Sequence, residues 1–506
     1  MKIKALLKKA PVVVVAMSAA IALAACTSAA PEAEGGVSGQ LVIANAEPVT
    51  AAYWDPAASF GLVDDQVASL VYDTLLSMDS SGKVSGNLAS DFTRVSDTEL
   101  TLTIRDDAKF HDGTAVTADD VVASLSRIMD QERSLAKSAL MTPGTVTADG
   151  KVITVVTDEP FGPLENSLAN VSILAKADID SPDNFKETAN GSGPYKFVSY
   201  KGDDITLEVN EDYWGDVPAI ETVILRYIAD ADARNNALIA GQVDIATRVG
   251  PNYVAAVADN SDFSVETVSP PSQLVLLEQH NGPLADVKVR QALAFAVDRE
   301  AIATNLMQGV NAVGFNAIPT SLESYSGADE KFAYNPDKAR SLLAEAGFND
   351  DLVLTLATST LVPSQLEIDQ AIVQYLEEVG ITVEVTQLEV GEFRTTYNTY
   401  DLSINTLASF NNDPGFILAT FVGPTGEAVF HFADPAAEEL IATSNSTVGD
   451  ARNSAINDAA TYLWDMQASL WLSDETWSTI VNKRVLDYER APLVGEPLLV
   501  NAHLAE

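Results

Sequence analysis

Cysteine is almost absent from this chain: 506 residues hold one, Cys26. A single thiol excludes an internal disulfide and a thiolate zinc cluster, so the fold must be held by packing. Histidine is nearly as scarce, with four residues far apart in sequence, so any metal site would have to be assembled by the fold. Positive charge is short as well. Lys and Arg number 30 against 72 Asp and Glu, for a net charge of -42. Such a surface repels nucleic-acid phosphates and anionic headgroups, and neither is expected as a partner. Beyond residue 25 no apolar run approaches the ~20 residues a membrane-crossing helix needs. The catalytic signatures are missing too: no Lys-Thr-Gly, no His-Glu-x-x-His, no Gly-x-Ser-x-Gly and no phosphate loop occurs.

What stands before Cys26 is the one strongly apolar run. Lys2, Lys4, Lys8 and Lys9 form a positive start, Pro11 to Ala25 is nearly all Val, Ala, Leu and Ile, and small residues precede the cysteine. These are the three parts of a secretory signal, and residues 1–25 read as a cleaved signal peptide. Leu23-Ala24-Ala25-Cys26 resembles the bacterial lipobox, which implies a diacylated Cys26 as the new N-terminus. Two or three acyl chains hold a protein firmly where one does not, at ~0.8 kcal/mol per buried CH₂. The expected location is the extracytoplasmic face of the cell membrane, with residues 26–39, small and polar, as a flexible lipidated tether. Loss of four lysines and no acid moves the net charge to about -46.

The body alternates strand and helix signals. Leu100, Leu102 and Ile104 alternate with polar neighbours, and "KVITVVT" and "TVILRYI" repeat the strand pattern. In "TADDVVASLSRIMD", Thr117 caps a helix with Asp120 three residues on, and Val121, Leu125 and Ile128 share a face. From about residue 285 helices dominate. "NPDKARSLLAEAGF" has Asn335 as cap, Pro336 at the first helical position and Gly347 as stop, and a helix closing near Gly380 leads into a strand with Ile381, Val383 and Val385 on one face. The fold class is α/β, in two or three lobes for a chain of this length.

Within residues 71–130 stand Leu75-Leu76, Gly82, Leu88-Ala89, Ile104-Arg105, Lys109 to Gly113 and Ala118 to Val121. This pattern closely resembles that of the family-5 extracellular solute-binding proteins, the dipeptide and oligopeptide receptors of ABC importers, with Phe92 where a Trp is usual. Further blocks follow in the family's order: "GSGPYKF", "NEDYWGDVPAIE", "NALIAGQVDIA", "DVKVRQALAFAVDRE" and "NPDKARSLLAEAGF". The resemblance implies a two-lobed periplasmic-binding-protein fold, type II, of the large peptide-binding subclass, closing on its ligand by a hinge. Mapped onto this sequence, lobe I is 40–70 with 190–278 and 485–506, an inserted subdomain is 71–189, and lobe II is 279–484, with hinge crossovers near 279 and 484. It implies a monomeric receptor without cofactor or catalysis. Such a receptor captures a solute, di- or oligopeptides foremost, and delivers it to ABC permease subunits. Oligosaccharides, nickel chelates and opines are the alternative cargoes, signalling to a sensor an added role, and an anchored peptide or cell-wall hydrolase the alternative of another class.

Candidate ligand residues follow from the same resemblance. Phe410-Asn411-Asn412-Asp413 keeps the spacing at which peptide-binding relatives present an Asp to the ligand's ammonium group, with Phe for Trp; Asp413 also precedes Pro414, as in a routine turn. Phe60-Gly61 matches the place where relatives offer backbone to the ligand, and reads equally as a surface loop. Gln279 and His280 sit at the expected crossover, and Arg394 is a candidate carboxylate partner. Trp471 and Trp477 fit either ligand stacking or core packing. His111-Asp112, before Gly113, reads as a turn, and Ser134 to Lys137 as a chance match to a penicillin-binding motif.

Overall fold

The computed structural model describes residues 39–48, 54–58, 62–79, 83–130, 137, 140–186, 188–322, 330–349, 351–359, 364–490 and 497–505. Cys26, Phe60, Gly61 and Ser134 lie outside the described residues. Among those described, no helix is long and apolar enough to cross a membrane.

Two large sheets organise the body, each the centre of one lobe. The first has seven strands in the order Phe263–Val268, Trp477–Asn482, Ile245–Val249, Gln40–Asn45, Thr222–Tyr227, Asp204–Val209, Tyr195–Lys201. Its three central strands run parallel and the pairings outside them are antiparallel. The second has five: Ile381–Gln387, Leu352–Thr358, Leu402–Ala408, Ser272–Glu278, Leu470–Asp474. Ser272–Glu278 is buried along its whole length, as a central strand covered on both faces must be. A four-stranded antiparallel sheet, Ala89–Ser96, Glu99–Ile104, Val152–Thr157 and Gly144–Asp149, has its own core around Leu100, Val121, Leu125 and Ile153.

The local signals act as read. Thr117 precedes helix Ala118–Met129 and donates its N–H to Asp120 Oδ2 at 2.8 Å, while Val121, Leu125 and Ile128 are buried. Asn335 Oδ1 accepts the Lys338 N–H at 3.0 Å to start helix Pro336–Glu345. Helix Gln365–Glu378 ends at Gly380, φ +91°, and leads into Ile381–Gln387, which pairs in parallel with Leu352–Thr358. This is a strand–helix–strand unit with the helix as crossover. Val385, expected on the inner face, is exposed because the inner side of this edge strand is uncovered past Val383. Asp112 accepts the Thr114 N–H at 2.8 Å around Gly113, φ +88°, which makes His111-Asp112 part of a turn. Gly191 is required by close approach: a Cβ there would lie 1.8 Å from the Val71 carbonyl oxygen.

The expected crossovers move. Ser272–Glu278 already belongs to the second sheet and Trp477–Asn482 to the first, so the chain passes between sheets at 269–271 and again at 475–476, rather than near 279 and 484. Pro270 and Pro271 supply the first stiff link, which a reading by apolar periodicity passes over because "SQLVLLE" fits either sheet. The two links are tied together. Ser272 donates its hydroxyl to Glu475 Oε2 at 2.5 Å and accepts the Glu475 N–H on its carbonyl at 2.9 Å.

Candidate functional site

A cleft of about 360 Å³ lies between the two large sheets, lined by Glu47, Tyr227, Arg248 and Tyr253 from the first lobe and Ser364 and Arg394 from the second. It shares Arg248, Gly250, Pro251 and Ser364 with a recess of about 70 Å³ that reaches Asn311, Thr476 and Trp477 at the second crossover.

Strand Ile245–Val249 builds the cationic wall. Its pairing with Trp477–Asn482 shifts register between Ala246 and Val249, and Arg248 inside that irregularity takes φ +51°. A bulge re-aims side chains, and here it points the Arg248 guanidinium at the cleft. The turn is held from below by buried Arg234, which donates to the carbonyls of Thr247 (3.2 Å), Arg248 (3.3 Å) and Ile228 (2.8 Å). Burial lowers the Arg234 pKa below the usual arginine value, and the neighbouring charge of Arg248 adds to the effect.

Arg248 stacks on Trp477, its guanidinium carbon 4.5 Å from the ring centroid, and lies 3.5 Å from Glu47 and 3.7 Å from Glu475. Arg394, half exposed on helix Val390–Thr396, stands 3.6 Å from the other oxygen of Glu47. One carboxylate thus stands between an arginine of each lobe. Asn252 accepts a hydrogen bond from Gln308 Nε2 at 2.6 Å, a second bridge between lobes near the cleft.

Of the residues singled out by sequence, Arg394 lines this cleft. Gln279 and His280 do not: Gln279 donates to the Val429 carbonyl (2.8 Å) and its Oε1 meets His431 Nδ1 (2.6 Å), while His280 Nε2 meets the Ala468 carbonyl (3.0 Å). Both serve the interior of the second lobe, because the crossover lies earlier in the chain. Asp413 is buried and closed: Arg452 donates to both carboxylate oxygens at 2.7 Å each, and Oδ1 also accepts the Gly415 N–H at 2.8 Å to cap helix Pro414–Ala419. The carboxylate that the family spacing offers to a ligand ammonium group is thus already engaged by Arg452 here. Asn411 is also buried; its carbonyl accepts from Asn166 at 3.2 Å and its Nδ2 reaches Ser167 Oγ at 3.4 Å. Phe410 packs against the core of the four-stranded unit, edge-on to Phe416. The 409–413 loop is therefore a seam between the second lobe and that unit. Trp471 is core, and Trp477 is the floor beneath Arg248.

Residues 83–428 match the family described as bacterial extracellular solute-binding proteins, family 5, middle region. The chain belongs to this family. Within it, the glutathione-binding protein GsiB of Pectobacterium atrosepticum is 26% identical over 467 residues, covering 87% of this chain and 88% of that protein. The nickel-binding protein NikA of Staphylococcus aureus is 26% identical over 320 residues, 63% of this chain and 64% of that one. Among solved structures, the oligopeptide-binding protein AppA from Bacillus subtilis in complex with a nonapeptide superposes with a TM-score of 0.81 at 21% identity, covering 93% of this chain and 99% of that one. NikA from S. aureus in complex with Ni(L-His)2 superposes at 0.80 and 21%, covering 92% and 99%. Family 5 members are extracytoplasmic substrate-binding proteins, and the two-lobed fold is theirs.

Sequence reasoning missed Glu47, Arg248, Asn252 and Glu475. The available signal was scarcity: in a chain this poor in cations, an arginine directly before Val249-Gly250-Pro251, at the end of a strand pattern, stands out. Among the described residues no group of three or more His, Cys, Asp or Glu gathers as for a metal ion.

Proposed function

We propose that the protein is the lipid-anchored receptor of an ABC importer, capturing a small solute, di- or oligopeptides foremost, in the interlobe cleft and handing it to permease subunits. The observation that carries this reading is the cleft itself, lined from both lobes and bordered by the two tied crossovers, as a hinge-closing binder requires. Binding of glutathione, nickel complexes and peptides by relatives supports a small-solute cargo and leaves its class to be measured. The receptor role needs no catalytic group, and the cleft offers binding groups: guanidinium, indole, phenol and amide. Incubation with a peptide pool followed by native mass spectrometry tests the reading. Peptides retained intact at one per protein support it; multiple turnover of the pool overturns it in favour of a hydrolase.

A further inference from the structure

One segment of the second lobe takes hold of both crossovers. Residues 311–322 run along the edge strand Leu470–Asp474 of the second sheet: Val313 bridges to Ser473, Gly314 donates its N–H to the Leu472 carbonyl at 3.2 Å, and the Ala312 carbonyl accepts the Asp474 N–H at 2.8 Å. Ala317, Ile318 and Leu322 are buried in that lobe's core, and buried Arg299 donates to the Gly314 carbonyl at 2.7 Å. Asp474 fastens the far end. Its Oδ2 accepts the Thr320 N–H at 2.8 Å and its Oδ1 accepts from Gln273 Nε2 at 2.8 Å, while Gln273 Nε2 also reaches the Asn316 carbonyl at 3.0 Å. Pegged in this way, the segment is a strap that belongs to the second lobe.

From the strap one side chain reaches each link. Ser321 donates its hydroxyl to the Pro270 carbonyl at 3.2 Å, and Asn311 Oδ1 accepts the Thr476 N–H at 3.1 Å. A proline ring fixes φ, and a residue before proline is confined to extended ψ, so the soft motion left at Pro270 in Ser269-Pro270-Pro271 is the swing of its carbonyl. That carbonyl is held twice, by Ser321 and by the Ser272 N–H at 2.7 Å. In the second link the Asn311 bond fixes the plane of the peptide between Glu475 and Thr476, next to the Glu475 tie to Ser272. Neither bond adds much to the stability of the fold, since a single hydrogen bond is a small net term, but each removes a torsional freedom from the place where the lobes are joined.

We propose that Asn311 and Ser321 are hinge-positioning residues, which pin each link where it leaves the second lobe and so confine bending to the first-lobe ends, at Ser269 and at Thr476-Trp477. The strap and the second lobe then move as one body, and the resting angle between the lobes is narrowly set. A narrow resting angle leaves less conformational freedom to be lost when the lobes close over a solute. The inference rests on the two-lobed fold and holds for any cargo, so its failure leaves the receptor reading standing.

Spin labels at Glu208→Cys and Glu384→Cys, exposed positions on the first and second sheets, in a Cys26→Ser background that leaves no other thiol, read the distance between the lobes by double electron–electron resonance with no ligand added. The expected result is a distance distribution wider than the parent's in Ser321→Ala and in Asn311→Ala, and wider still in the double variant. Ser321→Thr, which keeps the hydroxyl, should retain the parent width, a rescue that a purely steric role would not give. Ser321 is exposed, so its alanine variant is expected to keep the parent melting curve and to report on the hinge alone. An unchanged width in the double variant overturns the proposal, and so does equal widening by Ser321→Thr and Ser321→Ala.

Discussion

Arg452 and Asp413, 39 positions apart, close a buried bidentate ion pair with both N···O distances at 2.7 Å. The pair lies where the second lobe meets the four-stranded unit, beside Gly162, whose N–H donates to the Asn445 carbonyl at 3.0 Å. Breaking one partner of such a pair strands a buried charge, at roughly 3–5 kcal/mol. Asp413→Asn should therefore lower the unfolding midpoint in denaturant, with Arg452→Gln doing similar damage and the double variant costing well under their sum. N-acetylation of a peptide ligand should leave affinity unchanged in the wild type, the reverse of what an ammonium anchor at Asp413 would give.

Glu278 and His280 make stability depend on pH in opposite directions. Burial pushes the Glu278 carboxyl up to about 8, Arg290 opposing it, and neither oxygen has a hydrogen-bond partner among the described residues. Below pH ~4.5 the group is neutral folded and unfolded; as pH rises toward 8 only the unfolded chain ionises, so stability is lost across that window at up to roughly 1.4 kcal/mol per unit. Burial, with Arg290 next, pushes the His280 imidazole down to about 3, so its stabilising neutral state is lost as pH falls from ~6.5 toward 3. Denaturant titrations from pH 4 to 9 should show Glu278→Gln flattening the alkaline decline and His280→Gln the acid one.

Asn252 and Gln308 report on closure. They touch across the lobes at 2.6 Å. Spin labels at Asn252→Cys and Gln308→Cys, in a Cys26→Ser background that leaves no other thiol, should give a broad distance distribution without ligand and a shorter, narrower one with it. An unchanged distribution at saturating ligand would argue against hinge closure.

Cys26 carries the membrane assignment. Cys26→Ser should move the protein from the membrane fraction to the soluble one while the far-UV circular dichroism of the body stays the same, because a lone thiol takes part in no disulfide. A variant that still sediments with membranes would refute lipid anchoring at this residue.

Local chemistry was readable in the sequence and long-range pairing was not. The Thr117 cap, the Asn335-Pro336 start and the Leu100 alternation each need only neighbours within four residues, and each forms as expected. The ordered family blocks carried the two-lobed fold. The partner of Asp413, Arg452, was not legible because it is fixed by packing between helices and by no spacing rule. Arg248 escaped because its orientation depends on a bulge against Trp477–Asn482, more than two hundred residues away. Gln279 and His280 followed from a hinge placed several residues late, an error that apolar continuity through Ser272–Glu278 invites.

The tied crossovers also set an order of events during synthesis. All five strands of the second sheet lie within residues 272–474, so that lobe can assemble as soon as it leaves the ribosome. The first sheet cannot: Trp477–Asn482 lies between Ile245–Val249 and Phe263–Val268, and until it emerges those strands keep open edges with unpaired backbone groups. The lobe begun first is finished last. Nascent chains arrested at residue 476 should accordingly resist protease across the second lobe while the first is cut, and extension past 482 should protect both.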